Sequence, residues 1–92
     1  MNIIYPFLTQ LGVRRVSEHY CRKMLLSAPM SDTLLGIKNL LARMGVPTRG
    51  VRYEDLTQNP QFPSIVHIGT SFEVASEENW EKQKVYWDGI AL

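Results

Sequence analysis

The stretch SDTLLGIKNLLARMGVPTRGVRYEDL, residues 31–56, decides the fold because the spacing of its apolar residues changes within it. Leu34, Ile37, Leu41 and Met44 recur at steps of three and four, which places them on one face of an α-helix. Leu35 and Leu40 widen that face, so the helix should be largely buried. Ser31 and Asp32 offer caps for its first turn. Gly45 stands where a left-handed residue ends a helix, and Pro47 bars its continuation. Beyond Gly50 the period drops to two: Val51 and Tyr53 alternate with Arg52 and Glu54, as in a half-buried strand. This one segment therefore reads helix, turn, strand.

Toward the start of the chain the helical spacing continues. Residues 3–11 carry Ile4, Phe7, Leu8 and Leu11 on one face, with Pro6 tolerable in the first turn and Gly12 closing it. Ser17 is a good N-cap for a second helix over residues 17–26, where Tyr20, Cys21, Met24 and Leu25 form an apolar stripe. Arg22 and Lys23 face water, and Pro29 ends the run.

Toward the other end the chain reads as strands. Residues 57–63 are a turn-rich connection, 65–68 are a short apolar run, and Gly69-Thr70 permits a tight turn into an alternating strand over 72–75. Residues 77–82 read as an exposed loop. Residues 84–87, Asp88-Gly89 and 90–92 read as a hairpin, because Asp-Gly suits a type I′ turn. The expected fold class is therefore α+β: three N-terminal helices packed on one face of a four- to five-stranded antiparallel sheet, forming a single domain over residues 1–92. The stop at Leu92, in mid-strand, reads as the edge of a domain cut from a larger protein.

Composition narrows the function classes. A chain of 92 residues has room for one modest core, and 45% apolar residues argues against disorder. Ten basic and nine acidic residues give a net charge of +1, which argues against a dedicated nucleic-acid binder. The charges are uneven, however: residues 1–52 hold eight Lys/Arg and two acids, and residues 53–92 hold two Lys and seven acids. Arg14, Arg15, Arg22, Lys23, Arg43, Arg49 and Arg52 accompany no nucleic-acid motif. A single cysteine, Cys21, excludes an internal disulfide and a multi-thiolate zinc site. No stretch approaches the roughly 20 apolar residues of a membrane span, and residues 1–11 lack the basic start of a signal peptide.

Several segments together resemble a known family. Residues 31–56 are similar to the middle of the bacteriocin-processing, C39-type cysteine peptidase domains. FPSIVHIGTSFEVAS (62–76) resembles their central hairpin, and KVYWDG (84–89) resembles the strand that follows. The resemblance implies a papain-like fold, as found at the N-terminus of ABC exporters that cut leader peptides. Leu11-Gly12-Val13, LLGIKNLLARMGV, the Ile65–Gly69 hairpin and Tyr86-Trp87 with Gly89 further resemble a variant fused to bacterial vitamin K epoxide reductase-like membrane enzymes. On that resemblance, the chain is expected to be a soluble part of a bacterial inner-membrane exporter or thiol-redox protein.

The chemistry of such a peptidase is not written in this sequence. It needs a thiolate, an imidazole base within hydrogen-bond reach and a group that orients the ring. Aligning Gly12 with the family's helix-ending glycine puts the nucleophile before Met1. The family's histidine position falls on Ser71, and a hydroxyl is no base near neutral pH. Asp88 lies one residue early for the orienting acid and fits an Asp-Gly turn better. Ser71 and Asp88 are thus degenerate triad positions, and no catalytic residue is assigned. Ser71 lacks a Gly-x-Ser-x-Gly setting for a nucleophile.

Cys21 is expected to be a buried structural thiol, and His19, two residues away on a helix, points to another face. His67 is expected to be a satisfied core histidine. His67, Phe72 and Trp87 are candidates to line a peptide groove, although Trp87 suits hairpin packing equally; Trp80 is a further aromatic candidate. No metal or cofactor is expected. The leading expectation is a non-catalytic peptidase-like binding or regulatory module, whose partner is a peptide or leader-peptide client or the rest of a parent membrane protein. Nucleic acid and direct membrane insertion are not expected. The alternatives are a cysteine peptidase whose nucleophile precedes Met1, and a purely structural domain.

Overall fold

A computed structural model describes residues 3–53, 61–76 and 87–92, with the backbone alone for Tyr53 and Trp87. Three helices precede four strands: α1 (Ile4–Gln10), α2 (Glu18–Ser27), α3 (Leu34–Arg43), β1 (Arg49–Tyr53), β2 (Ser64–Ile68), β3 (Ser71–Ala75) and β4 (Trp87–Ala91). All strand pairs are antiparallel, in the spatial order β1-β4-β2-β3. The α+β expectation holds at this level. The loop expected at 77–82, the strand residues 84–86, Trp80 and the side chain of Trp87 lie outside the described residues.

The helices form where their apolar faces find the sheet. α1 is too short to persist alone, but Ile4, Phe7 and Leu8 are all buried. Ser17 caps α2, its hydroxyl oxygen accepting the Tyr20 N–H at 3.0 Å. On α2 only Cys21 is fully buried, and Tyr20, expected in the stripe, is exposed. α3 buries Ile37, Leu40 and Leu41. Two expectations for α3 are corrected. Its cap is Thr33, whose Oγ1 accepts the Gly36 N–H at 3.0 Å, rather than Ser31 or Asp32. Leu35 is exposed, because α3 lies against the sheet through one face only.

The sheet is apolar on both sides. Ile65 and Ile90, paired across β2 and β4, join the helical core, together with half-buried Phe72 and Val74. Val66 and Ala75 form a second cluster on the opposite face with Val51, Phe62 and Ile68. The tight turn expected at Gly69-Thr70 links β2 to β3, with Gly69 at φ +60°.

The largest correction concerns Asp88-Gly89, expected as a hairpin turn. Both residues lie inside β4, which hydrogen-bonds β1 on one side and β2 on the other. Asp-Gly is compatible with a turn, but here glycine answers a different need. A Cβ at Gly89 would lie 2.6 Å from the Ile65 carbonyl oxygen and 3.2 Å from Val66 Cγ1. The central strand needs a residue with no side chain at that point.

Gly89→Ala is accordingly expected to destabilise the fold by about 1–3 kcal/mol, read from urea unfolding. Gly50→Ala, where a Cβ meets nothing within 4 Å, is expected to stay within about 0.5 kcal/mol of the parent. Equal effects at the two positions would show that crowding against β2 is not what selects glycine at 89.

Candidate functional site

Helices and hairpin meet around a groove of about 400 Å³. Its walls come from four places. Ile3 precedes α1, Leu25 and Leu26 end α2, Ser31, Asp32 and Ile37 come from the α3 side, and Thr70, Ser71 and Phe72 come from the β2–β3 hairpin. The floor is apolar because Ile3 and Ile37 belong to the buried core. The rim carries three hydroxyls and one carboxylate, a suitable arrangement for holding backbone groups of an extended ligand over an apolar anchor.

Beside the groove, strand register builds a row of side chains across the whole sheet. Arg52 pairs with Asp88, Asp88 with His67, and His67 with Phe72. Directly opposed residues of antiparallel strands share a face, so these four side chains lie in line. Arg52 Nε donates to Asp88 Oδ1 at 2.9 Å, and the His67 and Phe72 rings stack with centroids 4.6 Å apart. Both partners of the ion pair are about half exposed, so it contributes no more than about 1 kcal/mol. Its larger effect is to hold the carboxylate in a fixed position on the sheet.

The site residues expected from sequence are thus placed as follows. Ser71 and Phe72 line the groove. His67 is exposed and stacked on Phe72, not a satisfied core histidine, because it lies at the end of the sheet beyond the buried Ile65 row. Asp88 is a strand residue paired with Arg52, not a turn residue. Cys21 is fully buried in the helical core, while His19 on the same helix is exposed. The chain's one thiol is therefore packed away from the groove rim, and burial pushes its pKa up. Among the described residues there is no cluster of three metal-ligating side chains.

Sequence reasoning missed Ser31 and Asp32 at the groove, reading them as helix caps. A signal was present: Thr33, a hydroxyl residue directly before the apolar run that opens at Leu34, is as good a cap and leaves Ser31 and Asp32 free of that role. The Arg52–Asp88 pair had no local signal, since 36 residues separate its partners. Compared with family models, curated proteins and solved structures, this chain matches none.

Burial of Cys21 gives a pH-dependent expectation. Above the ordinary thiol value of 9.0, the unfolded chain releases this proton while the folded chain keeps it. Stability is therefore undiminished on this account below that value and falls as pH rises beyond it. Iodoacetamide is expected to label native Cys21 slowly at neutral pH and readily in urea. Rapid labelling of the native protein would place the thiol at the surface.

Proposed function

We propose that this chain is a non-catalytic, peptidase-like binding module that holds an extended peptide in the groove between its helices and its β2–β3 hairpin. The observation that carries the reading is the composition of that groove. Ser71, where the C39-type resemblance would set the base, borders it, and so does Ile3, just after the point before Met1 where the resemblance would set the nucleophile. An apolar floor with hydroxyls at the rim suits capture of a peptide, with side chains seated below and backbone groups bonded above. On the same resemblance, the module would present a client to a parent exporter or thiol-redox membrane protein.

A second reading draws on one specific observation. His67 lies in cross-strand register with Asp88 and stacks on the groove residue Phe72, so an imidazole adjoins the groove with a carboxylate opposite it on the neighbouring strand. A thiol supplied from before Met1 would turn that pair toward peptidase chemistry.

Isothermal titration of the 92-residue protein with a panel of extended peptides tests the first reading. Binding is expected, and Phe72→Ala is expected to weaken it about tenfold or more through lost apolar contact, with the fold retained. No binding by any peptide at millimolar concentration would remove the proposal. Alkylation of the full-length parent distinguishes the second reading: an unusually reactive cysteine, silenced by His67→Gln, would favour catalysis.

A further inference from the structure

A second groove, of about 450 Å³, opens on another side of α3. Leu34, Leu35 and Lys38 of α3 form one wall, and Gly50 and Arg52 of β1 with Asp88 of β4 form the facing one. Gly50 keeps it open. This residue pairs with Ile90, whose side chain joins the helical core, so a side chain at 50 would project from the same face, between β1 and α3. A Cβ there would meet nothing within 4 Å, and the Gly50 backbone lies outside the left-handed region, so neither crowding nor strain requires glycine. The groove is the space that the missing side chain leaves.

Charge in this groove is unbalanced. Arg52 and Asp88 answer each other at 2.9 Å. Lys38 is half-buried, and among the described residues it enters no ion pair or hydrogen bond. Beside it stand Leu34 and Leu35, the latter 56% exposed despite its apolar side chain. An unanswered cation next to an apolar wall suits a carboxylate on a short aliphatic stem, as in a Glu side chain. The row of side chains across the sheet joins this groove to the first. Arg52 and Asp88 line the one, Phe72 lines the other, and exposed His67 stands between Asp88 and Phe72. From β1 to β3 is three strand spacings of about 4.8 Å, roughly 14 Å, which an extended chain covers in about four residues. We infer that the peptide held against Phe72 crosses the sheet over His67 and sets an acidic side chain, about four residues from its apolar anchor, against Lys38 in the second groove. This rests on the peptide-binding reading above and adds a specificity to it. Asp32 at the first groove repels a carboxylate there, so the two grooves select an apolar and an acidic residue respectively.

Isothermal titration of the full chain with short peptides tests the inference. Each peptide carries one Leu and one Glu, the Glu either next to the Leu, about four positions before or after it, or replaced by Gln. In one of the two directions the spaced Glu is expected to bind about fivefold more tightly than Gln or an adjacent Glu, and the advantage is expected to shrink as salt rises. Lys38→Met, which keeps the aliphatic bulk, is expected to remove the advantage and leave the Gln peptide's affinity unchanged. Lys38→Glu is expected to reverse it in favour of a spaced Lys. Gly50→Leu is the decisive variant, because it fills the groove from a position that tolerates a side chain: thermal stability is retained while the advantage is lost. Equal affinity for the spaced-Glu and Gln peptides, or an advantage that survives both Lys38→Met and Gly50→Leu, overturns this inference and leaves the first groove's reading intact. Failure of every peptide to bind removes that reading and this one with it.

Discussion

The pairing of β4 with both β1 and β2 is the constraint on which the rest of the molecule depends. Without it the sheet is two separate pieces, β1 alone and the β2–β3 hairpin, and neither presents a continuous apolar face to the helices. With it, Ile65 and Ile90 stand side by side under α1 and α3, while Val51 and Val66 flank Gly89 on the opposite face. The absence of a side chain at 89 lets the Ile65 carbonyl and the Val66 side chain approach closely enough for this arrangement.

The groove follows from the same arrangement. Residues from the start of α1, the end of α2 and the α3 side converge on the turn of the β2–β3 hairpin. Core residues supply the floor and turn residues supply the hydroxyls. The row from Arg52 to Phe72 lies just beyond the Ile65–Ile90 row on the same face and meets the groove at Phe72, so strand register fixes where the two adjoin. Groove and fold are thus set by one pattern of hydrogen bonds.

Much of the architecture is legible in the sequence where the signals are local. The three helices, the change of period after Gly50 and the turn at Gly69 are read from spacing and from single residues such as Ser17 and Gly45. What is not legible depends on partners distant along the chain. Asp88-Gly89 has the composition of a turn, and only the neighbours supplied by β1 and β2 show why the pair belongs in a strand. Leu35 and Tyr20 have the apolar character of buried residues, but each helix has one covering surface and they face away from it. Of the candidate site, Phe72 is expected at a groove and Ser71 at a degenerate triad position, and both line the cavity, while Asp32 is hidden by its equal fitness as a cap.

The position of β4 also orders the events of synthesis. Arg49 pairs with Ala91 and Ser64 with the same residue, so the two halves of the sheet acquire their common neighbour only after residue 91 has been added. Helices and the β2–β3 hairpin, built from near contacts, need no residue beyond Ala75 to form. Until translation reaches that point, Val51, Ile65 and Val66 have open hydrogen-bonding edges and uncovered apolar surface. A chain released before β4 would therefore keep two unpaired strand edges, with a tendency to recruit a strand from elsewhere.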